Sequence, residues 1–293
     1  YFENCTYRCG VFELGWTLAY FTFLARNTLD RKGLDEEQKE VLDSYLSHPE
    51  LPLSPLKKEV YRHLPLSDWV DRLKDTVYHF ADFLKHPTDG PSWRATDLRR
   101  QLNNVNVPML RVGSWYDAFQ YDTLTLFSGL RERATTAWAR QSQKLLMGPW
   151  GHFLLYSIPT SGGTGDIDFG PEARIELQDI QLRWFDYFLK GQDAGVLDEA
   201  PIRLFVMGDN RWRDENEWPL ALTQYTDVYL HSGGKANSLN GDGTLSLIAP
   251  NAEEHQDAYV YDPQDPVPTR GGTTLGMAMG VLDQNKVEVR EDA

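Results

Sequence analysis

Two short motifs in this chain hold side chains fit for acid–base chemistry. Gly113-Ser114-Trp115-Tyr116-Asp117 ends in a carboxylate, and Gly148-Pro149-Trp150-Gly151-His152 ends in an imidazole. Asp117 and His152 are 35 residues apart. A carboxylate bonded to one imidazole nitrogen fixes the tautomer and stabilises the imidazolium, which leaves the second nitrogen able to take a proton from a nucleophile. Such a pair supplies two members of a nucleophilic triad, provided the fold brings both to one place.

The flanking residues predict how that happens. Residues 107–112 and 144–147 are short apolar runs, each ending just before one of the motifs. Between them, Leu124, Phe127, Leu130, Ala134, Ala137 and Trp138 recur at helical spacing over about 121–141. Strand, helix and strand in that order make two parallel strands joined by a crossover. Both motif loops then leave the carboxyl ends of their strands, the edge where open α/β sheets place their chemistry. Asp117 lies five residues past Val112 and His152 five past Met147, so the loops have equal reach. The triad reading requires an Asp117 oxygen within about 3.5 Å of His152 Nδ1.

Composition narrows the class. The 293 residues suffice for roughly two domains. Nine tryptophans imply a sizeable core or an aromatic-lined pocket. A net charge of −14 argues against nucleic acid and against anionic membrane surfaces as partners. Cys5 and Cys9 match no zinc spacing and read as free thiols. The longest apolar stretch, 14–25, falls short of the roughly 20 residues a bilayer span needs, and no basic segment precedes it as in a signal peptide. The compartment stays open.

Three regions follow along the chain. Residues 1–95 read as helical, with amphipathic segments at 10–29, 35–47 and from Ser67 to about residue 86, and no strand before Val107. Such a block placed before the strand–helix–strand unit suggests a cap over an active site. Residues 96–195 hold the two motifs. They also include a glycine-rich stretch, Ser161-Gly162-Gly163-Thr164-Gly165, read as a flexible surface loop, and a helix from Pro171 to Lys190 with Gly191 as its C′ residue. Residues 196–293 carry short β-prone runs at 202–207, 226–231, 244–248, 258–261 and 286–290, which read as a β-sandwich or jelly roll. Asn240-Gly241-Asp242-Gly243 lacks the remaining ligands of a calcium loop and reads as a hairpin turn. The other histidines (His48, His63, His79, His86, His231 and His255) read as solvated or locally hydrogen-bonded.

These motifs resemble those of the cocaine esterase and X-prolyl dipeptidyl-peptidase family of serine hydrolases, whose triad runs serine, acid, histidine in chain order. Arg183-Trp184-Phe185-Asp186 with Leu189-Lys190-Gly191 resembles the family's helix after the histidine. Phe205-Val206-Met207-Gly208, Trp212 and Glu217-Trp218-Pro219 resemble the start of its jelly roll. The resemblance runs from Gly10 to Arg290. It implies an α/β fold: part of an α/β-hydrolase domain with a helical cap, then an all-β jelly-roll domain. It also implies hydrolysis of esters or amides through an acyl-serine, without cofactor or metal. By motif position Asp117 is the acid and His152 the base, and Phe119 corresponds to an aromatic wall of the substrate pocket.

The family's Gly-x-Ser-x-Gly elbow is absent. Ser114, Ser128, Ser161 and Ser232 all lack the flanking glycines. The expectation is a fragment whose nucleophile lies upstream, with a small-molecule ester, amide or peptide as substrate. The 107–112 strand then keeps an open apolar edge, which favours association into a homo-oligomer. Two rival readings are a pseudoenzyme that binds a ligand, and a β-sandwich binding module fused to a helical domain.

Overall fold

The computed structural model describes residues 7–8, 11–15, 17–18, 20–21, 24, 33, 35–37, 39–40, 62–73, 78–153, 156–193, 195–274 and 278–292. Cys5, Cys9 and His48 lie outside the described residues, as does most of the segments expected at 10–29 and 35–47. The N-terminal region includes an antiparallel pair, β1 (Tyr7–Arg8) and β2 (Val11–Phe12), where only helix was expected. Two residues per strand are too few for an alternating pattern to be seen. The helix expected from Ser67 is present as α1 (Asp68–Leu73) and α2 (Tyr78–Lys85), with 74–77 outside the described residues. A short α3 (Pro91–Arg94) follows, with proline in its first turn. Aromatic side chains hold this region together. Phe80 is fully buried, Phe83 stacks on Trp93 at 5.5 Å, and Trp93 Nε1 donates to the His86 carbonyl at 2.7 Å.

The strand–helix–strand unit is present and longer than its apolar parts. β3 spans Met109–Tyr116 and β4 spans Gln143–Gly151, paired in parallel. The crossover is two helices, α4 (Gln120–Arg133) and α5 (Ala137–Gln141), rather than one. Thr135 N donates to Val105 O at 2.8 Å, and Thr136 Oγ1 accepts from Ala139 N at 3.1 Å, capping a new helix. Ala134 and Ala137 keep the helical period through the break, which hides it in sequence. Trp138, expected on the buried stripe, is half exposed.

After β4 come a small hairpin, β5 (Gly163–Thr164) and β6 (Ile167–Asp168), and the helix α6 (Leu177–Lys190). Pro171 opens a separate 3-10 turn, so α6 starts later than expected. Gly191 ends it in the left-handed region at φ 69°, its N–H donating to Tyr187 O. The run at 202–207, read with the β-rich half, instead joins the main sheet. β7 (Ile202–Val206) pairs in parallel with β4, and β8 (Arg211–Glu215) pairs antiparallel with β7, giving the order β3-β4-β7-β8. A buried parallel strand and a sandwich strand are both short apolar runs, so pattern alone does not separate them.

Side chains alternate across β4. Leu145 and Met147 pack under α4 with Leu124, Phe127, Ile202 and Leu204. Leu146 and Trp150 face α6 with Leu177 and Ile180. Helices thus cover both faces, as parallel strands require.

Beyond Glu215 the described residues carry one antiparallel pair, β9 (Tyr229–His231) with β10 (Thr244–Ser246). The Asn240–Gly243 segment lies in its connection, where Gly241 N donates to Ser238 O. The runs at 258–261 and 286–290 form no strand; Tyr259, Val260, Tyr261 and Val289 are exposed and give no buried face for a sheet.

His231 is bonded at both nitrogens, to Glu254 Oε2 at 2.9 Å through Nδ1 and to Ile248 O at 2.9 Å through Nε2. A carbonyl and an ionised carboxylate only accept, so making both bonds requires the imidazolium. The bond to Glu254, and then that to Ile248, raises the His231 pKa. Asp242 and Asp257, both bonded to Ser232 Oγ, add to the acidic surround. A raised folded-state pKa stabilises the fold below the unfolded value near 6.5, and that contribution is lost as pH climbs through the folded value. The thermal midpoint of wild type should therefore fall toward that of His231→Gln as pH rises above about 6.5. A gap between the two that stays constant with pH would contradict this.

Candidate active site

Asp117 and His152 are placed by one irregularity in the β3–β4 ladder. Val112 pairs with Leu146, Gly113 with Met147 and Ser114 with Gly148, but Tyr116 pairs with Gly151. β4 carries one residue more than β3 across this step, as in a β-bulge. Asp117 and His152 are therefore the first residues past a paired position on neighbouring strands.

Asp117 is almost fully buried, and both its oxygens serve the site. Oδ1 accepts from Phe119 N at 2.9 Å, which fixes the turn into α4. Both Oδ1 and Oδ2 lie 3.1 Å from His152 Nδ1. The carboxylate only accepts, so Nδ1 carries the proton and, in the neutral ring, Nε2 is an acceptor. Nε2 makes no hydrogen bond among the described residues. Such a ring can take one proton at Nε2 while its charge is balanced through Nδ1.

Among the described residues, three aromatic rings stand beside the imidazole. Phe119, singled out from sequence, stands 5.3 Å from it between centroids. Phe153 at 4.8 Å and Tyr156 at 6.4 Å were missed. Their signal was proximity in sequence, since both follow His152 within four positions. Both are exposed, so they offer apolar surface beside the imidazole. Of the serines weighed from sequence, three are bonded elsewhere, and the Ser114 hydroxyl is buried with no hydrogen-bond partner among the described residues. Ser114 is buried on β3, Ser128 Oγ donates to Trp218 O, Ser161 Oγ to Gly163 O and Ser232 Oγ to Asp257.

The rest of the histidine motif supports the strand end. Trp150 is fully buried and donates from Nε1 to Ala173 O at 3.0 Å. Its ring lies so close over Gly148 that a β-carbon there would overlap it. On the acid strand, Trp115 Nε1 donates to Phe205 O at 2.8 Å and ties β3 to β7 across the sheet.

The chain matches two family models. X-Pro dipeptidyl-peptidase (S15 family) covers residues 12–154, and the X-Pro dipeptidyl-peptidase C-terminal non-catalytic domain covers 194–286. The chain belongs to the X-Pro dipeptidyl-peptidase (S15) family. It is 36% identical over 212 residues to the cocaine esterase of Rhodococcus sp. (strain MB1 Bresler), a match covering 71% of this chain and 35% of that protein. The chain thus aligns with about a third of that relative's length. The crystal structure of an aminopeptidase from a marine sediment archaeon, Thaumarchaeota archaeon, is similar in fold, with a TM-score of 0.54 and 23% identity over 69% of this chain and 31% of that one. In this S15 chain the hydrolase-domain match ends just after His152, and the C-terminal match begins before β7, although β7 and β8 pair into the sheet of β3 and β4.

Gly148→Ala tests the packing of the motif. The added methyl must displace the Trp150 ring, so stability should drop by about 1–3 kcal/mol, as overpacked cores do. Urea unfolding monitored by tryptophan fluorescence would show a lower midpoint at unchanged slope. An unchanged midpoint would mean that Gly148 is not required there.

Proposed function

We propose that Asp117 and His152 are the acid and base of a serine hydrolase that cleaves an ester or amide through an acyl-serine intermediate. Its nucleophile is a serine outside these 293 residues. The observation that carries this reading is the Nδ1–carboxylate bond at the carboxyl edge of two parallel strands. In the first step the serine oxygen attacks the substrate carbonyl and its proton passes to His152 Nε2. Asp117 stabilises the resulting imidazolium through Nδ1. As the tetrahedral intermediate collapses, Nε2 returns that proton to the departing alcohol or amine. Water then repeats the sequence on the acyl-serine and releases the acid.

Phe119 is the proposed wall of the acyl pocket. The residues after Asp117 are Ala118-Phe119-Gln120, with no carboxylate to hold a substrate ammonium. That composition favours an uncharged, apolar acyl group on a small-molecule substrate. The name of the Rhodococcus relative favours an ester over an amide.

The test uses the longer natural polypeptide containing this chain. Asp117→Asn should lower kcat about 10⁴-fold with little change in KM, the effect of the wrong imidazole tautomer. Full activity in that variant would overturn the reading. Residues 1–293 alone should give no burst of product from an activated aryl ester, since triad members act as a unit. Phe119→Ala should lower kcat/KM about tenfold or more for benzoyl esters and much less for acetyl esters, the range expected of an apolar pocket contact. Equal losses on both would remove Phe119 from the pocket.

A further inference from the structure

The glycine-rich stretch after His152, expected to be a mobile surface loop, is built into the structure. Thr164 is 5% exposed, and β5 and β6 form a hairpin turning at Gly165 and Asp166. A segment more than a hundred residues later lies against that hairpin. Asp166 N donates to Val281 O at 2.7 Å, Asp283 N donates to Asp166 Oδ2 at 2.9 Å, and Thr164 Oγ1 donates to Met279 O at 3.2 Å. The segment is held from behind by reciprocal bonds between Gly272 and Gly280, at 2.7 and 2.8 Å.

This contact reaches the catalytic loop. Thr164 Oγ1 lies 3.1 Å, and Met279 Cβ and Cε 3.4 Å, from the place a β-carbon on Gly151 would occupy. Gly151 is the last residue of β4 and precedes His152. Gly280 itself has φ 96°, and a β-carbon on it would fall 2.5 Å from Thr164 Cγ2 and 2.7 Å from Thr164 O. No side chain fits there without pushing the segment off the hairpin. Two of the three atoms nearest that position are backbone atoms of Thr164, so the contact at Gly280 is more closely defined than one between long side chains.

We propose that residues 278–283 are a strap that positions His152, with Thr164, Met279 and Gly280 as its positioning residues. The strap lies within the match to the domain termed non-catalytic, and backs the loop that carries the base. The proposal rests on the reading of His152 as that base. It assigns the strap no contact with substrate. Its effect is to keep the imidazole in register, where a displacement of about 1 Å can cost about 10²-fold in rate.

The experiment is NMR on the 293-residue chain with ¹⁵N-labelled histidine, following solvent exchange of the His152 Nδ1 proton at fixed pH. Asp117→Asn identifies the resonance by abolishing it. Thr164→Val removes the bond to Met279 O at equal volume, and exchange should rise about fivefold, the equivalent of one net hydrogen bond. Thr164→Ser keeps the hydroxyl and should restore slow exchange. Gly280→Ala should act like Thr164→Val or more strongly. The His231 ring protons should not respond, which separates a local effect from general loosening. Unchanged exchange in folded Thr164→Val would overturn the strap and leave the acid–base reading standing. A resonance that survives Asp117→Asn would overturn that reading, and this proposal with it. If Gly280→Ala fails to fold, the threonine pair decides.

Discussion

The site depends on the extra residue that β4 carries beside Ser114–Tyr116. Without it Tyr116 would pair with Trp150, and Asp117 would stand opposite Gly151. His152 would then be displaced along its strand by about 3.3 Å and, because side chains alternate, would point to the other face of the sheet. The ladder starts at Met109 opposite Gln143 and ends at Tyr116 opposite Gly151, a change of one in offset. That one residue sets Asp117 and His152 side by side.

Asp117 shows how few groups hold the arrangement. Its carboxylate is buried, and a buried charge is tolerated when hydrogen bonds replace its hydration. One of those donors, the Phe119 amide, belongs to the turn; another is Nδ1 of the His152 imidazole on the neighbouring loop. Turn geometry and imidazole orientation are therefore not independent. Indole N–H groups brace the surroundings in the same way, from Trp115 to Phe205, Trp150 to Ala173 and Trp212 to Glu172. Each joins elements distant in sequence, and the one from Trp150 satisfies a buried N–H that would otherwise be stranded.

What the sequence made legible were features with a local or periodic signature. The parallel pair at β3 and β4, the acid and histidine at their ends, the left-handed Gly191 and the helical character of α4 and α6 all have one. The bulge has none, because Trp115-Tyr116 and Pro149-Trp150-Gly151 look alike whether paired evenly or not. The break at Thr135 depends on bonds to Asn103, Val105 and Asn106, which helical spacing does not report. Glycines at 162, 163 and 165 signal freedom when read alone; here Gly163 and Gly165 let another backbone come close, and Gly162 makes room for the Asp168 and Arg174 side chains. β7 carries the same apolar run in either architecture, and only its pairing with β4 assigns it.

The wide separation in sequence of contacts near His152 has a consequence for how the protein is made. A chain grows from its N-terminus and its parts fold roughly in the order they emerge. β3, α4 and β4 are neighbours in sequence, so Asp117 and His152 can meet early, at small cost in loop closure. β7, the other neighbour of β4, arrives some fifty residues later. Val281, which bridges Gly165, emerges after more than a hundred residues have followed that glycine. On a ribosome, therefore, Asp117 and His152 are in each other's company well before the segment that backs Gly151 exists.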